Sequence, residues 1–114
     1  MNNYPEMKSC ESYWVKIYIA GDIVQIVQIC RQYCFHLGFC VTVTPTKFIY
    51  TGGEETGAEI GIMNYARFPT TPDELYSKAK TLAIDLLNQT YQLSCSMVDP
   101  YESVWLYLPK KEGK

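Results

Sequence analysis

The sequence has no long apolar run and no segment typical of a targeting signal. Its most apolar stretches are interrupted by Gln25, Gln28 and Arg31, so none is long enough and apolar enough to span a bilayer. The N-terminal residues lack the apolar core of a signal peptide. These absences predict a cytoplasmic protein with no membrane partner.

Neither sign of charge predominates in the chain. Lysine and arginine number 10 and aspartate and glutamate 12, for a formal net charge of -2. Proteins that follow a nucleic-acid backbone carry an excess of basic residues, so nucleic acid is not an expected partner. The basic cluster of Lys110, Lys111 and Lys114 belongs to residues 109–114, which we interpret as a basic C-terminal tail.

The chain offers little to a metal ion. His36 is its single histidine, and none of its 5 cysteines belongs to a Cys-x-x-Cys pair, the spacing typical of zinc and redox sites. We therefore predict no metal site and no cofactor, and we interpret the cysteines as small buried residues.

Alternating and helical patterns divide the first part of the chain into regular elements. Trp14 to Ala20 alternates between two faces, which predicts a strand that is buried on one side. Asp22 is suited to a helix N-cap and Gly38 to a left-handed C-cap. Apolar residues recur between them at three- and four-residue steps, so a helix is expected there.

Residues 39–68 have the pattern of one long hairpin. Two alternating runs flank the segment Thr51–Gly57, whose glycines predict a turn. Thr71, Pro72 and Glu74 then begin a second helix with a capping box. Residues 91–98 predict the last core strand, and the apolar residues 103–108 can add a fifth strand beside it.

The order β-α-β-β-α-β predicts an α+β fold. We expect a ferredoxin-like sandwich, in which an antiparallel sheet carries two helices on one face. Right-handed crossovers place the first and third strands at the centre of the sheet, and the fifth strand extends one edge. The domain is expected to span residues 13–108, after a flexible segment of residues 1–12.

The face of the sheet without helices, called here the open face, is the first place to expect function. By alternation it carries Lys16, Tyr18, Glu59, Met63 and Tyr65, with fewer aromatic and basic residues than an RNA-binding module displays. The apolar last strand favours self-association or a protein partner, because a small monomer rarely leaves such an edge uncovered. The candidate binding residues are Lys16, Tyr18, Glu54, Glu55, Met63, Tyr65, Arg67, Trp105 and Tyr107.

The segment Thr51–Gly57 has the glycines of a phosphate loop but neither its lysine nor its spacing. Its paired glutamates would also repel a phosphate group. Two interpretations stay open: a flexible hairpin tip, or a recognition loop that presents Glu54 and Glu55 to a basic partner.

Two short segments resemble nucleoside 2-deoxyribosyltransferases. Lys16–Gly21 is similar to the opening strand of that family, and Thr56–Gly61 is similar to its Gly-Thr-x-x-Glu-x-Gly segment. The resemblance implies an enzyme that cleaves N-glycosidic bonds, with Glu59 as the nucleophile at the start of a helix. Alternation from Ala58 onwards predicts instead that Glu59 lies on the open face of a strand.

The leading hypothesis from the sequence is a non-catalytic binding module, not an enzyme, that forms homo-oligomers through its open face and last strand. Small size, cysteines and the absence of an enzyme motif are typical of bacteriophage accessory proteins, which inhibit or sequester a component of the host cytoplasm. The transferase-like enzyme with Glu59 as nucleophile is the alternative. A binder of small nucleotide ligands, with its pocket between protomers, is a third hypothesis.

Overall fold

A computed structural model describes residues 3–109, which form five strands and two helices. The elements are β1 (Trp14–Ala20), α1 (Ile23–Leu37), β2 (Thr42–Tyr50), β3 (Gly53–Met63), α2 (Pro72–Thr90), β4 (Ser94–Val98) and β5 (Ser103–Tyr107). The predicted basic residues Lys110, Lys111 and Lys114 lie outside the described residues. Residues 3–12 form no helix or strand, yet Asn64 donates a hydrogen bond from Nδ2 to the carbonyl oxygen of Glu11 at 2.8 Å.

The strands form one antiparallel sheet in the order β2-β3-β1-β4-β5. This confirms the predicted α+β fold, with β1 and β3 inside the sheet. The layout is consistent with a ferredoxin-like unit, and β5 extends its order by one strand beyond β4. β2 lies at the opposite edge, where Pro45 can be accommodated because an edge strand leaves some N–H groups unpaired.

The predicted helix ends agree closely with the structure. The Asp22 carboxylate accepts a hydrogen bond from the Val24 N–H at 3.1 Å, and Gly38 ends α1 with a φ of 62°, a conformation that glycine adopts without strain. No helix within residues 3–109 has the length and apolar character needed to cross a membrane.

The second helix begins as predicted, but only half of its capping box forms. The Thr71 hydroxyl accepts from the Glu74 N–H at 3.2 Å, as an N-cap does. The Glu74 carboxylate does not complete the box at the Thr71 N–H; it accepts from the Thr70 hydroxyl instead. Thr70 is itself held by Asn64, whose Oδ1 accepts from its N–H at 2.9 Å.

The core lies between the two helices and one face of the sheet. Alternate residues of β1 and β3 meet apolar stripes on α1 and α2, because each of these elements is apolar on one side. The largest fully buried side chains are Val15, Ile17, Ile19, Ile26, Ile60, Ile62, Leu75, Leu82, Leu86 and Met97. Within residues 3–109, no helix packs on the opposite face of the sheet.

The hairpin tip differs from the predicted loop. The turn is only Thr51 and Gly52, and Gly52 has a φ of 85°, which suits the second central residue of a type II turn. Residues 53–57 already belong to β3, so Glu54 and Glu55 point to opposite faces. A single recognition loop that presents both glutamates is therefore wrong.

The C-terminal part confirms the fifth strand and corrects the start of the fourth. The predicted strand over residues 91–98 begins only at Ser94, because α2 continues to Thr90 and Tyr91 caps it with a φ of 58°. One side of β5 is partly buried and the other is exposed: Val104 and Leu106 pack against the core, whereas Trp105 and Tyr107 are exposed.

Candidate functional site

A row of facing residues crosses the open face through all five strands. Pairing aligns Thr44 with Glu59, Glu59 with Tyr18, Tyr18 with Ser96, and Ser96 with Trp105. Facing residues in antiparallel strands have Cβ atoms about 4.5–5.5 Å apart. This central row therefore brings a carboxylate, a phenol and two hydroxyl groups together from residues far apart in the chain.

Glu59 and Tyr18 interact at the middle of the central row. Both are partly buried, and burial, followed by the hydrogen bond to the Glu59 carboxylate, raises the pKa of Tyr18. Burial disfavours the charged phenolate, so a neutral phenol faces the Glu59 carboxyl group across the paired strands. The pair thus places a carboxyl group directly beside a hydroxyl donor.

A cavity of about 460 Å³ lies on one side of this pair; we call it the Lys16 cavity. Lys16 extends over Trp14, with its Nζ 5.4 Å from the ring centroid, a distance at which cation–π attraction operates. The remaining open-face residues of the lining are Thr42, Glu59, Gly61, Met63 and Tyr65. A Cβ at Gly61 would lie 2.5 Å from the Thr42 hydroxyl oxygen, so a side chain there would have to displace Thr42.

A second cavity of about 200 Å³ lies on the other side of the pair; we call it the Glu55 cavity. Its side chains include Tyr18, Phe48, Glu55, Ser94, Ser96 and Trp105. Gly57 allows the Phe48 ring to lie against β3, since a Cβ at Gly57 would lie 2.8 Å from that ring and 2.2 Å from the Ile19 carbonyl oxygen.

The edge of the open face is aromatic. The rings of Trp105 and Tyr107 stack with centroids 4.3 Å apart and an interplanar angle of 25°. They remain 63% and 57% exposed, far more than side chains of this size in a core. This pair borders the Glu55 cavity through Trp105.

The structure brings most of the sequence-predicted site residues together on the open face. The binding residues that lie there are Lys16, Tyr18, Glu55, Met63, Tyr65, Trp105 and Tyr107. Glu59, the candidate nucleophile of the alternative hypothesis, lies on the same face. Glu54 is separate, because it lies on the other face of the hairpin and pairs with Lys47 at 3.1 Å. Arg67 lies beyond the end of β3 and is exposed.

The predicted set omitted two aromatic residues that line the cavities, Trp14 and Phe48. Alternation contained a signal for both. Trp14 has the same parity as Lys16 and Tyr18 in β1, and Phe48 has the same parity as Thr42 and Thr44 in β2. The pairing of β2 with β3 continues without a break through Pro45, so this parity holds along the whole strand.

The position of Glu59 rules out the geometry that the transferase resemblance implied. Glu59 lies within β3, paired on one side with Tyr18 and on the other with Thr44. It is not at the start of a helix, so the implied nucleophile position is wrong and the strand prediction is confirmed.

Comparisons with known proteins relate the fold to solved structures. No protein-family model matches the sequence, and no curated protein matches it. A phage SAM lyase in the apo state is similar to this chain with a TM-score of 0.75 and 14% identity, over 88% of this chain and 92% of that chain. A phage SAM lyase in complex with S-methyl-5'-thioadenosine has a TM-score of 0.75 and 11% identity, over 96% of this chain and 100% of that chain.

These likenesses establish the fold and correct the leading functional hypothesis. Both similar structures are enzymes, so the prediction of a non-catalytic binding module that is not an enzyme is contradicted. The alternative, an N-glycosidic enzyme, is also a different activity from theirs. Both similar structures are phage proteins, which supports the predicted relationship to phage proteins.

Proposed function

We propose that this chain is a lyase that acts on S-adenosylmethionine (SAM) and releases S-methyl-5'-thioadenosine. The observation that supports this most is the likeness, over nearly the whole length of both chains, to a phage SAM lyase that holds S-methyl-5'-thioadenosine. By the same likeness we propose a phage protein that works in the host cytoplasm. Because identity is low, the roles of individual residues are argued from the site itself.

The released product identifies the bond that breaks. The sulfur of SAM is a sulfonium that carries a methyl group, the 5' carbon of adenosine and the γ carbon of an aminobutyrate chain. S-methyl-5'-thioadenosine keeps the first two, so the bond from sulfur to the γ carbon is cleaved. The bonding electrons pass to sulfur, which becomes a neutral thioether.

When the bond to sulfur breaks, the γ carbon must form a new bond, and in a lyase this bond is not made to water. In one route an oxygen of the substrate's own carboxylate attacks that carbon, so that a C–O bond forms as the C–S bond breaks and homoserine lactone results. In the other route a base removes a proton from the β carbon and leaves a double bond. We favour the lactone route, because it requires no proton transfer and is intramolecular.

We assign Glu59 and Tyr18 to the binding of the sulfonium group. A half-buried carboxylate attracts a cation more strongly than one in bulk water, and Tyr18 faces it from the neighbouring strand. The positive charge on sulfur disappears during the reaction, so this attraction serves binding and orientation more than rate. The rate is attributed to holding the carboxylate oxygen near the γ carbon and to excluding water.

We also propose that the protein forms a homo-oligomer in which a second copy covers the open face. The exposed stack of Trp105 and Tyr107 supports this, and covering the face would exclude water from a reaction that must not become hydrolysis. Light scattering should show an oligomer for the wild type and a smaller species for Trp105→Glu. A monodisperse wild-type monomer at tens of micromolar would contradict it.

The function is tested by incubating the purified protein with SAM and separating the products by liquid chromatography with mass spectrometry. S-methyl-5'-thioadenosine should form with the wild type, and more slowly with Glu59→Gln when the SAM concentration is well below saturation. The lactone and the unsaturated amino acid are isomers, but mild alkali converts only the lactone into homoserine. If the wild type neither cleaves SAM nor binds S-methyl-5'-thioadenosine in calorimetry, the proposal is wrong.

A further inference from the structure

We infer the direction in which the substrate lies on the open face: its adenosine occupies the Lys16 cavity, and its amino-acid end occupies the Glu55 cavity, where Glu55 binds the α-ammonium group. This inference rests on the proposed function. It assigns Glu55 as the residue that distinguishes ligands with an amino-acid end from those without one.

The positions of the two cavities support a substrate that extends across the central row. Glu59 lines the Lys16 cavity, and Tyr18 lines the Glu55 cavity. A sulfonium beside this facing pair therefore has one cavity on each side. Its two large substituents, adenosine and aminobutyrate, have to extend in different directions.

Size and surface chemistry decide which substituent enters which cavity. The Lys16 cavity is more than twice as large, at about 460 Å³ against 200 Å³, and it contains the rings of Trp14 and Tyr65 and the thioether of Met63. Flat purine rings stack on such aromatic side chains. The Glu55 cavity also borders the rings of Tyr18, Phe48 and Trp105, but it is less than half as large. It offers a carboxylate and the hydroxyl groups of two serines, which suit a small and highly polar aminobutyrate.

Charge selects the same direction. An α-ammonium group would be repelled by Lys16 and attracted by Glu55. The substrate carboxylate, in turn, is a better nucleophile when no lysine binds it, and placing it away from Lys16 leaves it free. Lys16 thus lies away from the Glu55 cavity, where the α-ammonium group is expected.

The neighbouring residue Glu54 provides a matched control. Glu55 faces Phe48 in the register and lines the open-face cavity, whereas Glu54 faces Ile49 and lies on the opposite side. Glu54 also has a partner of its own, Lys47 at 3.1 Å. The two glutamates therefore share charge, strand and position near the tip, and differ in the face they occupy.

The experiment compares Glu55→Gln with Glu54→Gln in calorimetric titrations with two stable ligands. S-adenosylhomocysteine has the amino-acid end, and S-methyl-5'-thioadenosine lacks it, while both have a neutral sulfur. Glu55→Gln should weaken S-adenosylhomocysteine about tenfold, the effect of losing one hydrogen bond to a charged group. It should leave S-methyl-5'-thioadenosine within about twofold. Glu54→Gln should change neither affinity.

Each other outcome overturns the inference or identifies a different failure. Equal weakening of both ligands by Glu55→Gln would mean that the adenosine lies in the Glu55 cavity, and no weakening of either would mean that Glu55 is not a binding residue. Glu55→Asp, which keeps the charge, should recover part of the lost affinity if the variant is folded. A wild type that binds neither ligand refutes the proposed function itself, independently of the direction of binding.

Discussion

The two faces of the sheet are built from alternate residues of the same strands, yet they have opposite characters. In β1, Val15, Ile17 and Ile19 are at most 1% exposed, while Lys16 and Tyr18 between them line open-face cavities. Neighbouring residues of one strand therefore belong to the core and to the candidate site in turn. Substitutions on the covered face should change stability, and those on the open face should change ligand binding.

The largest effect is expected on the covered face. Ile17→Ala removes three methyl or methylene carbons from a fully buried position and should lower the free energy of unfolding by about 2–5 kcal/mol. Urea unfolding followed by circular dichroism measures this. A loss below about 1 kcal/mol would mean that the core is less tightly packed around β1 than the structure indicates.

On the open face, Glu59→Gln should leave stability nearly unchanged and weaken binding of the sulfonium ligand. We expect about tenfold weaker binding of SAM, since the carboxylate is replaced by a neutral amide. S-methyl-5'-thioadenosine, which has no charge on sulfur, should bind almost as before. The SAM affinity is measured by rapid mixing before turnover, or by titration of a variant that cannot cleave SAM. Equal loss for both ligands would contradict the assigned role of Glu59.

A helix cap tests stability at residues that line neither open-face cavity. Thr71→Ala removes the hydroxyl that accepts from the Glu74 N–H and should cost about 1 kcal/mol of unfolding free energy. Thr70→Val is a useful comparison, because Thr70 binds the Glu74 carboxylate but is not the N-cap residue. Loss of ligand binding with stability unchanged would show that this segment belongs to the site.

The smallest effect is expected from the titration of Tyr18. Since its pKa is raised by burial and by the hydrogen bond to Glu59, the folded state keeps the proton at pH values where the unfolded chain has lost it. The stabilisation is complete below about pH 10, the ordinary tyrosine value, and is lost as the pH rises above it. Unfolding measured from neutral pH to about pH 11 should decline less steeply for Tyr18→Phe. Identical slopes would rule out this contribution.

Local patterns were sufficient for most of the fold. The N-caps Asp22 and Thr71 and the C-cap Gly38 lie where their side chains and backbone preferences predicted, because each acts on residues within one turn. Local glycine content misled at residues 53–57, which pair with β2 instead of forming a loop. Hydrogen bonds between the two arms of the hairpin outweighed the turn preference of the glycines there.

The candidate site was only partly visible in the same patterns. Alternation placed Lys16, Tyr18 and Glu59 on one face, but nothing local indicated that Tyr18 faces Glu59. The separation of Glu54 from Glu55 was also hidden, since their faces depended on where β3 began. The expectation of a non-catalytic module followed from the absence of a contiguous motif, which a site assembled from several strands does not need.

The sequence by itself determined most of the residues that form strands and helices, and which face of each element is apolar, because periodicity and capping depend on near neighbours. Only the tertiary structure decided the register in which the five strands pair. That register aligns Thr44, Glu59, Tyr18, Ser96 and Trp105 in one row. The proposed chemistry depends on this alignment, which arises from hydrogen bonds between residues distant in the chain.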